Sequence, residues 1–155
     1  MKLILGLIIF LLVVVVASRY SSTYFQDGVL PFMHTSTASI NNQTFKLYMA
    51  TSDKDRMVGL SGRSSMPVDF GMLFTFEKAD YYPFWMKDMK FPLDIVFING
   101  QKIVTIYQNV QPPSLSSDTL PILKPDEPAD KVLEINAGLS QKYNFKKGDQ
   151  VQIKK

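Results

Sequence analysis

Cysteine is absent from this chain of 155 residues, so disulfide bonds, thiolate catalysis and cysteine-based zinc sites are excluded. Histidine is nearly absent. The single copy, His34, lies in a Thr/Ser-rich stretch near the N-terminus, away from clustered carboxylates. One histidine excludes a multi-histidine metal site and a histidine-based catalytic triad. We therefore expect no metal site and no cofactor.

A strong excess of charge of one sign is also lacking. The 17 basic and 14 acidic residues leave a formal net charge of +3, and they are spread along the chain. Nucleic-acid-binding domains usually concentrate Lys and Arg on one face, and the sequence contains no RNP-like, zinc-finger or helix-turn-helix pattern. We therefore expect no nucleic-acid partner.

The N-terminus carries an unbroken apolar run, Leu3–Ala17, which follows Lys2. This length and charge pattern is typical of a secretory signal peptide, while an uncleaved run would be a membrane anchor, although it is shorter than ~20 residues. We expect residues 1–17 to be a signal peptide or N-terminal membrane anchor and residues 18–36 to be a linker. The domain at 37–155 is then periplasmic, extracellular or membrane-anchored outside the cytoplasm, with the membrane as a partner if the run is not cleaved.

The exported part predicts a mainly β fold of the α+β class. Short runs rich in aromatic and β-branched residues follow one another, which is typical of strands. Asn41-Asn42 and Asn99-Gly100 indicate hairpin turns, and the latter favours a type I′ turn. We expect a small single-domain barrel or sandwich of short, mostly antiparallel strands with one or two short helices. The predicted strands include residues 70–77, 82–87, 93–98, 102–110 and 131–136.

One short helix is predicted at about 53–61. Ser52 and Asp55 stand in capping-box positions before it, and Gly62 is expected to end it. A Pro-rich stretch, residues 111–128, contains five of the nine prolines. Because long loops within compact domains are usually functional covers, we interpret this stretch as a lid over a binding site.

The order of four motifs resembles that of the DUF192 (UPF0127) family. These motifs read RMVGLSGR, GMLFTFE, FWMKDMKFPLDIVFI and VLEINAG followed by GD, and the resemblance covers about residues 38–153. It implies a compact, mainly β domain that often stands behind a signal peptide or membrane anchor, with an undefined function. The family's usual WMKNT reads Trp85-Met86-Lys87-Asp88-Met89 here, so no role can rest on an Asn-Thr pair at 88 and 89.

Two carboxylates interrupt apolar strands. Because strand side chains alternate between faces, Asp94 shares a face with Val96, and Glu134 shares one with Val132. An isolated buried carboxylate costs several kcal/mol, so each is expected to have a cationic or hydrogen-bonding partner. Arg56 and Arg63, which bracket the predicted helix, are the natural candidates.

Two interpretations of these charges stay open. In the first, Arg56, Arg63, Asp94 and Glu134 form an ion network that holds the helix on the β structure. In the second, part of this set lines a pocket with Trp85 and Lys87, where an aromatic ring beside a cation suits a small acidic or sugar ligand.

The function that we favour from the sequence is a ligand- or partner-binding module of the cell envelope. The candidate binding residues are Arg56, Arg63, Trp85, Lys87, Asp94 and Glu134. The alternative is a hydrolase that acts on a cell-envelope or sugar-containing substrate, with Asp94 and Glu134 as acid and base. The sequence alone does not decide whether the chain is an enzyme.

Overall fold

The computed structural model describes residues 36–113 and 121–154. The predicted signal or anchor (1–17), the predicted linker except its last residue, and residues 114–120 of the predicted lid lie outside the described residues. Within the described part, no helix is long and apolar enough to cross a membrane.

The described residues form seven strands and two short helices, which confirms the predicted mainly β fold. In chain order the elements are β1 (Thr37–Ile40), β2 (Gln43–Ala50), α1 (Asp53–Val58), β3 (Phe70–Asp80), β4 (Leu93–Asn99), β5 (Lys102–Val110), β6 (Ala129–Asn136), α2 (Leu139–Lys142) and β7 (Val151–Lys154).

All seven strands belong to one sheet with the order β5-β4-β6-β3-β2-β1-β7. Neighbouring strands are antiparallel except β2 and β3, which are parallel because the connection through α1 crosses back to the same end of the sheet. The sheet curls into a half-barrel whose two edges meet at one end. There Ile103 N donates to Asp149 O at 3.0 Å, and Val151 N donates to Gln101 O at 2.8 Å.

Each face of the sheet carries a hydrophobic core. The first core, on the face that α2 covers, includes Leu73, Val96, Leu133, Ile135 and Leu139. The second core, on the opposite face, includes Leu60, Phe74, Met86, Ile95, Phe97 and Val132. Because both faces are covered, the six residues from Leu93 to Ile98 in β4 are all buried, as their unbroken apolar pattern predicts.

Two local predictions are wrong. The first helix ends at Val58 rather than near residue 61, because Gly59 takes a positive φ of 51° and serves as the C-cap. Residues 82–87 are not a strand; Phe84 alone makes an isolated bridge, to Leu123.

The β4–β5 hairpin is present, but its turn differs from the predicted type I′. Asn99 pairs with Lys102 at the ends of the two strands, which leaves Gly100 and Gln101 as the turn residues. A type I′ turn needs positive φ at both positions, and only Gly100 has it, at 60°.

Candidate functional site

Helix α1 is built by a capping box and forms one wall of the site. Asp55 N donates to the Ser52 hydroxyl at 3.1 Å, and Ser52 N donates in return to the Asp55 carboxylate at 3.2 Å. The predicted capping box is therefore confirmed. None of the six helical residues is buried, and Met57 is 83% exposed. The helix thus presents apolar side chains to solvent and to the space beside it.

Arg56 fastens α1 to the sheet. Its Nη1 donates to the Thr51 carbonyl at 2.6 Å and to the Thr75 carbonyl at 2.8 Å, and its Nη2 donates to the Asp53 carboxylate at 2.6 Å. The guanidinium also lies over the Phe76 ring, 5.2 Å from its centroid. The charge and most donors of Arg56 are therefore satisfied within the wall itself.

The floor of the site is the second-core face of the central strands. Glu134 on β6 lies between Met72 of β3 and Ile95 of β4, which oppose it in the two ladders. It is 6% exposed. The strand order places this carboxyl near the middle of the sheet, where the neighbouring strands contribute only apolar partners.

The opposite wall is the segment from Tyr82 to Met89. Two backbone hydrogen bonds hold it against the described C-terminal part of the predicted lid: Phe84 N donates to Leu123 O at 2.9 Å and Leu123 N donates to Phe84 O at 2.8 Å. The Phe84 ring meets the Phe74 ring edge-on at 5.1 Å, and the Tyr82 ring stacks on Phe76 at 3.8 Å. This ring cluster keeps the segment in place without strand pairing.

Between these walls lies a cavity of about 620 Å³. Ligand pockets usually fall between about 300 and 1,000 Å³. Four of the six candidate residues line the cavity, namely Arg56, Trp85, Lys87 and Glu134, together with the aromatic side chains Phe74, Phe76, Tyr82 and Phe84. Trp85 is 49% exposed, so its ring stands at the mouth, whereas Glu134 lies at the floor.

Glu134 lines the cavity and forms no hydrogen bond or ion pair with the described residues. Burial disfavours its charged form and raises the pKa of this carboxyl from 4.5 to about 8. At neutral pH the group is therefore mostly protonated, and it can donate one hydrogen bond into the cavity.

Asp94 lies on the other face of the sheet, where backbone and hydroxyl donors surround it. One carboxylate oxygen accepts from Asn109 N at 2.7 Å and Gly138 N at 3.0 Å. The other accepts from Ser140 N at 2.8 Å and from the Ser140 hydroxyl at 2.7 Å. The predicted arginine partner of Asp94 is wrong, because four local donors satisfy the carboxylate instead.

The predicted ion network is absent from the described residues. Arg56 pairs with Asp53, and the Arg63 guanidinium lies over the Tyr48 ring, 4.7 Å from its centroid. Asp94 and Arg63 do not line the cavity. The two carboxylates of the hydrolase alternative are likewise separated, because Ile95, not Asp94, shares the face of Glu134.

The aromatic walls were not singled out from the sequence. Phe74 and Phe76 alternate in the FTFE motif, so their spacing places them on one strand face, and this signal could have identified them. No sequence pattern indicates that Met57 and Tyr82 line the cavity, because their positions depend on how α1 and the segment from Tyr82 to Met89 approach each other. Among the described residues, no group of three His, Asp or Glu side chains could hold a metal ion.

A family model matches residues 35–153, more than half of the chain. The chain belongs to the DUF192 family. The description of this family is "uncharacterized ACR", so membership carries the fold but no activity. The comparison with curated proteins found no match.

Two solved structures share the DUF192 fold of this chain. A protein of unknown function from Novosphingobium aromaticivorans is 25% identical, with a TM-score of 0.70, over 82% of this chain and 95% of that one. A candidate transcription regulator from Sinorhizobium meliloti is 29% identical, with a TM-score of 0.68, over 77% of this chain and 94% of that one.

Proposed function

We propose that this DUF192 protein is an exported or membrane-tethered module of the cell envelope that binds a small ligand in the cavity beside α1. The apolar run at residues 3–17 supports export or tethering. The cavity of about 620 Å³, with four of the sequence-derived candidate residues on its lining, supports binding.

The observation that carries the proposal is the buried carboxyl of Glu134 at the floor of an aromatic-lined cavity. A carboxyl on the lining of a mostly apolar cavity costs desolvation energy, so a fold that only needed a closed core would favour an apolar residue at this position. A ligand that enters the cavity supplies a partner for this carboxyl. Few polar groups among many apolar ones is the pattern of pockets that bind small molecules.

The lining also indicates where the parts of a ligand lie. The rings of Phe74, Phe76 and Phe84 receive an apolar or flat body. Lys87 at the mouth is exposed and forms no ion pair with the described residues, so it can bind an acidic group or a sugar hydroxyl.

Binding is favoured over hydrolysis by the placement of the two carboxylates. Acid–base hydrolysis of a glycosidic bond needs two carboxyl groups on either side of one bond. Asp94 is fully hydrogen-bonded on the opposite face of the sheet, so the cavity contains Glu134 without that partner.

The experiment uses Trp85, the only tryptophan in the chain, as a reporter. Because its ring lines the cavity, ligand entry changes its fluorescence without any label. A library of envelope sugars, acidic metabolites and amines is titrated into the full-length chain, and each hit is repeated with Lys87→Ala. Lys90→Ala is the matched control, since Lys90 is exposed directly after the same segment but does not line the cavity.

We expect acidic or sugar hits to weaken by about tenfold in Lys87→Ala, which corresponds to about 1.4 kcal/mol, and to be unchanged in Lys90→Ala. Equal effects of both substitutions, or no hit in the library, would contradict a ligand pocket at this place.

Export is tested separately by cell fractionation, and recovery of the protein from the cytoplasm would contradict it.

A further inference from the structure

The inner end of the cavity contains a carboxyl group that the protein leaves without a cation. Arg56 and Lys87 are the basic side chains on the lining. Arg56 is bonded to Asp53 and to two carbonyl oxygens, and Lys87 is exposed at the mouth. Neither forms an ion pair with Glu134 among the described residues.

Aromatic rings line the same cavity as Glu134. Faces of aromatic rings carry negative potential, and a ligand cation within about 6 Å of a ring centroid is stabilised, more strongly where water is excluded. The rings of Phe74, Phe76, Tyr82 and Phe84 form a continuous cluster with centroid separations from 3.8 to 6.4 Å. The Phe76 ring already stacks on Tyr82 and has the Arg56 guanidinium over it, so Phe74 and Phe84 are the lining rings that suit an alkylammonium group paired with the carboxyl.

We propose that the inner end of the cavity binds a cationic amino group, which pairs with the Glu134 carboxylate beneath the aromatic rings. The inference deepens the proposed function and rests on it, because it assigns a ligand class to the same cavity. An amine that also carries a hydroxyl or acidic group satisfies both ends: the amino group meets Glu134, and the other group meets Lys87 at the mouth.

Binding of this kind is coupled to protons. The free carboxyl of Glu134 is protonated at neutral pH, because burial raises its pKa to about 8. When an ammonium group enters, the carboxyl releases its proton to solvent and becomes the counter-ion of the ligand. The other titratable groups on the lining are Asp53, Arg56, Tyr82 and Lys87, and the strand neighbours of Glu134, Met72 and Ile95, do not titrate.

Three small probes of similar shape test the ligand class: phenethylamine, phenethyl alcohol and phenylpropionate. Each is titrated into the full-length chain in nanodiscs, with Trp85 fluorescence and calorimetry as readouts. We expect phenethylamine to bind at least tenfold more tightly than the other two at pH 8. Its affinity should rise about tenfold per pH unit between about pH 6 and pH 8, with nearly one proton released per ligand near pH 6.

Glu134→Gln keeps the size of the side chain and removes the charge. We expect it to abolish the preference for the amine, the proton release and the pH dependence. The matched control is Glu127→Gln, since Glu127 lies on the surface in an ion pair with Lys147. Both variants are checked for folding by circular dichroism, and Glu134→Asp, which shortens the side chain but keeps the charge, should retain the proton release.

The outcomes separate this inference from the proposed function. If phenethyl alcohol binds as tightly as the amine and weakens above about pH 8, the cavity binds a neutral acceptor, and the ammonium assignment is overturned while the pocket stands. Preferred binding of phenylpropionate overturns it in the same way. Failure of all three probes overturns the ammonium assignment, whereas the library titration alone decides whether the cavity binds a ligand.

Discussion

Ser140 donates two hydrogen bonds to one carboxylate oxygen of Asp94, from its backbone nitrogen at 2.8 Å and from its hydroxyl at 2.7 Å. The second oxygen accepts from the backbone of Asn109, where β5 shifts its register against β4, and from Gly138, which precedes α2. One buried side chain therefore fixes both the irregular part of β5 and the start of α2. Asp94 is a determinant of the fold rather than part of the cavity.

Asp94→Asn should lower the free energy of unfolding by about 2–4 kcal/mol, because the new amide nitrogen meets N–H donors and leaves them unsatisfied. Ser140→Ala should cost about 1 kcal/mol, since the backbone donor remains. Urea unfolding followed by circular dichroism measures both. Asp126→Asn, an exposed site, is the control and should stay within about 0.5 kcal/mol of the original chain. Equal stability of Asp94→Asn and the original chain would contradict the assigned role.

Glu134 should make the protein less stable as pH rises. Its pKa is about 8 in the folded chain against 4.5 as the ordinary value, so the folded state binds more protons than the unfolded state between these values. Stability is therefore highest below about pH 4.5, as far as this group is concerned, and falls by about 1.4 kcal/mol per unit until about pH 8. Thermal unfolding across this range measures the slope.

Glu134→Gln should flatten this dependence, because an amide does not titrate, and should make the protein more stable than the original chain at pH 9. Glu127→Gln should keep the slope, since Glu127 is about half exposed in a surface ion pair. If Glu134→Gln leaves the slope between pH 5 and pH 8 unchanged, the carboxyl is charged in the folded protein and has a partner.

Much of the fold could be predicted because it follows from local patterns. The unbroken apolar pattern of β4 predicts burial on both faces, and Ser52 with Asp55 predicts the start of α1. The end of α1 could not be placed, because the chain offers both Gly59 and Gly62 as stops, and both take a positive φ. The segment around Phe84 has strand composition, yet its rings pack against other rings instead of a neighbouring strand.

The candidate site could be predicted only in part, because local patterns show which residues interrupt a strand but not how neighbouring strands align. Alternation along β6 and β4 correctly places Glu134 and Asp94 in apolar strands, but two strands must be aligned before their faces can be compared. The register pairs Glu134 with Ile95, so these two side chains share a face of the sheet. Asp94 precedes Ile95 in β4 and therefore lies on the other face. The sequence also contains no information on how many backbone N–H groups converge on Asp94, so an arginine was the obvious partner.

Arg56 should contribute more to the stability of the fold than its positive charge contributes at the cavity. Arg56→Lys keeps the charge but replaces two separated donor nitrogens, which bond the carbonyl groups and Asp53, by a single nitrogen, so we expect a loss of about 1–2 kcal/mol, and about 2–3 kcal/mol for Arg56→Ala. Urea unfolding measures the loss. Arg63→Lys is the matched control and should lose less, because the Arg63 guanidinium contacts the Tyr48 ring and forms no ion pair with the described residues. Equal losses in the two lysine variants would contradict a specific clamp.

The capping box of α1 should control how firmly the cavity wall is held. Ser52→Ala removes the side-chain acceptor of Asp55 N, so it should lower the free energy of unfolding by about 1 kcal/mol. Because α1 has six residues and none is buried, most of this effect should appear as local opening. Hydrogen exchange at the amides of Arg56 and Gly59, which donate to Ser52 O and Asp55 O, should accelerate more than that of β4 amides. Ser65→Ala, at an exposed site after the helix, is the control and should leave both exchange rates unchanged. If Ser65→Ala accelerates exchange in α1, or if Ser52→Ala accelerates exchange equally across the sheet, α1 does not open independently.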